Sequence, residues 1–209
     1  MMRAILGGTF DPIHWGHLRA ASSVCHQIQC DHLVLLPSAQ PPHRSYPGAT
    51  AEQRFTMATL AAAEIPHCIA DNWELLQSRK SYTQLTLEQF HQRWPQDTLV
   101  FIVGEDAFAG LESWYKWEHL LDHAHLVVMR RPHSHNVFSD TLQQWLANVQ
   151  TKRPEQLHQQ ASGLVYLAET PAFDISATAI RNAIQTGQTW THYLPSSVAN
   201  YIQTHQLYR

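Results

Sequence analysis

Short apolar runs alternate with stretches of helical period along the chain, and no hairpin signal joins one run to the next. This alternation is the strongest constraint on the fold, because strands separated by helices pair in parallel through crossover connections. The strand candidates are residues 3–7, 32–37, 67–70, 98–103, 125–129 and 164–167. Helical patterns cover 15–29, 82–93, a stretch around 118–122, 142–149, 177–186 and 197–205. Thr50 and Gln53 have capping-box spacing and open a further helix, with Phe55, Ala58, Thr59 and Ala62 as its expected inner stripe. Residues 152–162 read as a polar, partly ordered connection. The expected fold is α/β: a Rossmann-like, doubly wound parallel sheet with helices on both faces and further helices at the end. At 209 residues the chain is expected to form one domain, 1–209. In such sheets ligands bind beyond the carboxyl ends of the strands, which directs attention to the loops after Gly7, Pro37, Gly104 and Arg130.

Charge narrows the partners. A formal net charge of −3 argues against a duplex nucleic-acid binder, which carries a basic excess. No stretch approaches the roughly 18 apolar residues of a membrane span. Three cysteines, Cys25, Cys30 and Cys68, fit no disulfide framework, so a reducing, cytoplasmic setting is expected. Cys25, His26, Cys30 and His32 lie close together, but their spacing matches no compact zinc pattern, and no metal-binding residue is assigned.

The loop after the first strand holds the most chemistry. Gly7-Gly8-Thr9-Phe10-Asp11-Pro12-Ile13-His14-Trp15-Gly16-His17 runs from a strand end into a helix start. Paired glycines let a backbone approach a ligand closely and expose its amides. A helix N-terminus adds partial positive charge suited to phosphate. His14 and His17 are one turn apart, so both imidazoles can face one spot and donate to phosphate oxygens. Near the other end, Ser176 is a good N-cap for a helix ending at Gly187, and Arg181 follows on that helix.

These two segments, Gly-Gly-Thr-Phe-Asp-Pro-Ile-His-x-Gly-His and Ile175-Ser176-Ala177-Thr178-Ala179-Ile180-Arg181, resemble the nucleotidyltransferase superfamily with the His-x-Gly-His signature. Within it the chain is similar to the bacterial nicotinate-mononucleotide adenylyltransferases. The likeness extends through Pro41-Pro42-His43-Arg44, Ser81-Tyr82-Thr83, Gly104-Glu105-Asp106, Trp114-Tyr115, Arg130-Arg131-Pro132 and Leu207-Tyr208-Arg209.

The resemblance implies transfer of the adenylyl group of ATP to nicotinate mononucleotide, giving deamido-NAD and pyrophosphate. It implies that Gly7, Gly8, Thr9, Phe10, His14, His17, Gly104, Asp106, Ser176 and Arg181 bind ATP. His14, His17, Arg44 and Arg181 would be catalytic. Arg44 stands where many relatives carry lysine, which keeps the charge and adds bidentate capacity toward phosphate. Thr83, Trp114, Tyr115 and Arg131 would receive the mononucleotide, the aromatics stacking on its pyridine ring. By the same resemblance, backbone amides of the Trp114 segment join Thr83 in taking the nicotinate carboxylate. Mg²⁺ is the expected cofactor, bound mainly through the ATP phosphates. The partners are then ATP and nicotinate mononucleotide, with no nucleic acid, no membrane and no particular oligomeric state implied. Two other readings stay open: the amide acceptor nicotinamide mononucleotide, and a nucleotide-sensing protein that binds without turnover.

Overall fold

The computed structural model describes residues 1–39, 48–77, 80–130 and 137–209. The described residues form seven strands: β1 (Met2–Gly8), β2 (His32–Pro37), β3 (Cys68–Ala70), β4 (Thr98–Gly104), β5 (His125–Arg130), β6 (Gln150–Thr151) and β7 (Val165–Glu169). The helices are α1 (Trp15–Ile28), α2 (Ala51–Ala62), α3 (Thr83–Arg93), α4 (Glu105–Ala109), α5 (Asp140–Val149), α6 (Ala177–Gln185) and α7 (Ser196–Thr204). The strands order as β3-β2-β1-β4-β5-β7-β6. Pairing is parallel from β1 to β4, β4 to β5, β5 to β7 and β6 to β7. This is the α/β, Rossmann-like sheet that the alternation implies, and the order reverses beside β1.

The strand sequences account for their places. Leu99 through Val103 are all buried, as an uninterrupted apolar run requires when both sheet faces are covered. In β1, Met2 through Leu6 are buried and the two closing glycines are half-buried, so the chain emerges from the core where backbone amides become useful.

Two compact units divide the chain. One comprises Met1–Leu6, Ala21–Leu33 and Tyr82–Ala172; the other comprises Gly7–Ala20, Val34–Ser81 and Phe173–Arg209. In the first, Arg3 is fixed by Asp97, which accepts from its Nη2 at 2.7 Å and its Nε at 3.0 Å. In the second, α2 packs on β3 and α7.

Two local expectations need correction. The buried stripe of α2 is Arg54, Met57, Ala58, Ala61 and Ala62, whereas Thr59 is exposed and Phe55 only half-buried. The helix is rotated toward the buried Arg54, whose guanidinium donates to the Thr9 and Ala39 carbonyls; an arginine does not register as an inward residue in an apolar pattern. Residues 152–162 are more ordered than a polar connection, because Pro154–His158 forms a 3₁₀ turn around the fully buried Leu157. The short elements α4 and β6 carry too few residues to generate a readable period. Helix α2 does begin with the reciprocal cap: Thr50 Oγ1 accepts from the Gln53 amide, and the Gln53 side chain accepts from the Thr50 amide. No helix of the described residues is long and apolar enough to cross a membrane.

Candidate active site

Strand β1 ends at Gly7-Gly8, and the next residues turn sharply. Phe10 adopts a left-handed conformation at φ 50° and is 2% exposed. A side chain at Gly8 would bring its Cβ to 2.6 Å from Phe10 Cε1, so only glycine lets this ring fold beneath the turn. The Asp11–Pro12 peptide is cis. Phe10 then meets His17 edge-on, with ring centroids 5.2 Å apart.

The two histidines lie face to face, with centroids 3.7 Å apart and planes inclined by 25°. His14 is buried and His17 half-buried. The backbone N–H of His14 donates to His17 Nδ1 at 3.3 Å. A neutral imidazole that accepts at Nδ1 carries its proton on Nε2, so His17 presents an N–H donor on its other edge. Gly16 between them is constrained as well. A Cβ there would stand 2.9 Å from His14 Nδ1 and 3.4 Å from Ile175 Cβ. The late motif therefore packs against the early one.

Helix α6 starts at the Ser176 cap, where Oγ accepts from the Ala179 amide at 3.1 Å. That bond uses a lone pair of Ser176 and leaves its O–H as a donor. Five residues on, Arg181 Nη1 donates to the Asp11 carbonyl at 2.7 Å and stands 3.8 Å from Asp11 Oδ2. The glycine turn, the paired histidines, the capping serine and the arginine thus gather in one compact unit.

The hub of that gathering is Asp11, a residue of the glycine-turn motif to which the sequence pattern assigns no role. Its carboxylate is buried and accepts from the Gly48 amide at 2.8 Å, the Ala49 amide at 3.1 Å and the Tyr208 hydroxyl at 2.8 Å. Arg54 was also missed. At 1% exposure it donates Nη1 to Thr9 O at 2.6 Å and Nη2 to Ala39 O at 3.1 Å, holding the turn from below. Neither tie has a local sequence signal, since the partners lie 15 to 197 positions apart.

The remaining expected residues with described positions lie in the other compact unit. Gly104 precedes α4, and among the described residues no atom beyond its chain neighbours lies within 4 Å of where its Cβ would be, so no described contact demands glycine there. Asp106 is exposed in the first turn of α4, a position also favoured by the helix dipole. Thr83 is the first residue of α3, whose N-cap Tyr82 supplies no side-chain bond to the helix amides. The Tyr82 and Tyr115 rings lie 4.9 Å apart, bringing an exposed aromatic face beside that helix start. Trp114 is half-buried and edge-on to Phe101, and its amide already donates to Leu111 O at 2.9 Å. Arg44 and Arg131 lie outside the described residues. Among the described residues no group of three or more His, Cys, Asp or Glu side chains could hold a metal ion.

Comparison with known proteins bears on family and fold. Residues 5–183 match the cytidylyltransferase-like family. Curated relatives named probable nicotinate-nucleotide adenylyltransferase align over the chain's full length. The Idiomarina loihiensis protein is 44% identical, covering 100% of both chains, and one from Escherichia coli is 42% identical, covering 100% of this chain and 99% of its own. The solved Plasmodium falciparum nicotinic acid mononucleotide adenylyltransferase, complexed with NaAD, has the same fold. Its TM-score is 0.73 at 17% identity, covering 99% of this chain and 96% of that one. The chain belongs to the cytidylyltransferase-like family, among the nicotinate-nucleotide adenylyltransferases.

Proposed function

We propose that this enzyme transfers the adenylyl group of ATP to nicotinate mononucleotide, yielding nicotinate adenine dinucleotide and pyrophosphate, a step of NAD biosynthesis. The observation that carries the proposal is the meeting of the glycine turn with α6, in which Arg181 reaches the Asp11 carbonyl at 2.7 Å. Two helix starts, two imidazoles and a guanidinium then serve one anionic ligand. Relatives 42–44% identical over the full chain support the same activity.

In this reading the chemistry needs no protein nucleophile. A phosphate oxygen of the mononucleotide attacks the α-phosphorus of ATP in line. The new P–O bond forms as the bond to the β-phosphate oxygen breaks, and pyrophosphate leaves with the electron pair. The protein's task is to align the reactants and neutralise the charge that builds on the transferring group. His17 Nε2–H and His14 donate toward the α- and β-phosphates, and amides at Gly7, Gly8, Thr9 and Phe10 line their approach. The Ser176 hydroxyl and Arg181 hold the departing pyrophosphate, joined by Arg44. Gly104 and Asp106 serve the adenosine.

ATP enters as its Mg²⁺ complex in this scheme. Asp11 is unsuited to hold the ion, because its carboxylate already serves two amides and a phenol. When bound, the ion would supply charge neutralisation and would be held mainly through ATP, not by protein carboxylates.

For the acceptor, the α3 start at Thr83 offers uncapped amides next to the Tyr82–Tyr115 ring pair, a setting suited to a carboxylate carried on a flat ring. Trp114 and Arg131 complete the proposed acceptor residues. A cytoplasmic location accords with this reading and with three cysteines that form no disulfide.

Pyrophosphate release with ATP and each mononucleotide tests the proposal. Turnover with nicotinate mononucleotide and a higher kcat/KM than with nicotinamide mononucleotide is expected. A preference for the amide would overturn the acceptor assignment. ATP binding without any pyrophosphate release would leave a nucleotide-binding protein instead.

A further inference from the structure

The Tyr208 hydroxyl lies far from Asp11 in sequence, yet donates to Asp11 Oδ1 at 2.8 Å inside the protein. Both side chains are buried: Tyr208 is 8% exposed and Asp11 7%. The backbone takes a left-handed turn to achieve this, with φ 53° at Gln206 and 65° at Tyr208. Non-glycine residues adopt that conformation at a cost, so the ring is held in place by its surroundings. Its face lies on Gly48, where a Cβ would come within 3.0 Å of Tyr208 Cδ1 and Cε1 and 3.7 Å of Arg181 Cδ. Gly48 itself donates its amide to Asp11 Oδ2.

One carboxylate therefore sits between a phenol and a guanidinium. Arg181 Nη1 is engaged with the Asp11 carbonyl and remains 3.8 Å from Oδ2, beyond hydrogen-bond length. A buried carboxylate short of donors attracts the nearest cation strongly. The two amides and the Tyr208 hydroxyl satisfy Asp11, and Arg181 is spared from collapsing onto it.

We propose that Tyr208 is a positioning residue for the triphosphate site: by donating to Asp11 it keeps the Arg181 guanidinium directed at the phosphates of ATP instead of locked in an ion pair. The proposal rests on the adenylyl-transfer reading and adds a residue to it. Burial, together with the Asp11 charge, pushes the Tyr208 hydroxyl well above the usual tyrosine range, so it remains a donor at any working pH.

The test is steady-state kinetics of pyrophosphate release by the full chain, with melting temperature measured in parallel. Tyr208→Phe removes one oxygen and keeps the ring. Its KM for ATP is expected to rise about tenfold, the scale of one charge-assisted hydrogen bond, with KM for nicotinate mononucleotide unchanged. If Tyr208 acts through Arg181, Arg181→Ala and the double variant Arg181→Ala/Tyr208→Phe have the same KM for ATP. A native KM for ATP in Tyr208→Phe, or losses that simply multiply in the double variant, overturns the proposal. A lower melting temperature with both KM values native reveals a purely structural role, which also overturns it. Should Tyr208→Phe fail to fold, Gly48→Ala displaces the same ring and must raise KM for ATP in the same Arg181-dependent way; a native value there overturns the proposal. An inactive wild-type enzyme would instead refute adenylyl transfer, so the two failures are distinguishable.

Discussion

The main-chain N–H of His14 donates to Nδ1 of His17 across 3.3 Å, which puts the proton of a neutral His17 on Nε2. The stacked His14 ring and the Phe10 edge hold the His17 plane, so this donor is oriented before any ligand arrives. A donor aligned in advance contributes most where charge develops. His17→Ala is expected to lower kcat by roughly 10²–10³-fold with a much smaller change in KM for ATP. Single-turnover measurement of dinucleotide formation checks this. Nearly native turnover would remove His17 from the mechanism.

The glycine between the histidines makes a separate prediction. A methyl at Gly16 would meet His14 Nδ1 at 2.9 Å and Cε1 at 3.0 Å, ring atoms that cannot rotate away without breaking the stack. Gly16→Ala should therefore destabilise the fold by about 1–3 kcal/mol, the usual cost of overpacking, and should lower kcat through the displaced imidazole. Urea unfolding and kcat measured together check both effects. A variant with native kcat would show that the stacked arrangement is not needed for turnover.

These two sites explain why so much was legible beforehand. The helix caps at Thr50 and Ser176, the His14–His17 spacing and the glycine turn are all encoded within a few residues, where local geometry decides the outcome. The buried runs of β1, β2, β4 and β5 were equally plain. Arg54 was not, because its charge is neutralised by carbonyls of Thr9 and Ala39 that the fold delivers from elsewhere. Asp11 was visible within its motif, but its partners at Gly48, Ala49, Arg181 and Tyr208 exist only after the chain has closed on itself. Phe10 was expected among the ATP contacts; its ring is packed beneath the turn, leaving its backbone as the part open to that role.

His125 makes stability depend on pH. It is fully buried on β5, its Nε2 faces Gln160 O at 3.1 Å, and its Nδ1 accepts from the Leu164 amide at 3.1 Å. Burial is the main cause that lowers its pKa below the usual histidine value, outweighing the carbonyls that favour the charged ring. The unfolded chain thus binds the proton more readily. Stability is intact above about pH 6.5 and is lost as pH falls from there toward the folded-state pKa, by at most about 1.4 kcal/mol per pH unit for this one group. Comparing urea midpoints at pH 7.5 and 5.5 in wild type and His125→Gln isolates its share among the other histidines. The variant is expected to lose less stability on acidification; an identical loss would clear His125.

Arg54 carries the last prediction. It lies 1% exposed on α2 and spans two carbonyls, Thr9 O from the turn before the histidines and Ala39 O beyond β2. A lysine offers a single ammonium on a flexible stem and cannot reproduce that planar fork. A methionine fills similar volume and leaves both carbonyls without the guanidinium donors. Hydrogen bonds to a charged donor contribute about 1.5–3 kcal/mol each, so Arg54→Met, which loses both, should lose about 3 kcal/mol of unfolding free energy. Arg54→Lys should recover part of that loss. Because Thr9 belongs to the turn proposed to receive the ATP phosphates, kcat should fall in both variants even at temperatures where they remain folded. Denaturant titration, paired with turnover at low temperature, separates the two effects. If Arg54→Met is as stable as wild type, the guanidinium's burial is offset elsewhere and the turn stands without it.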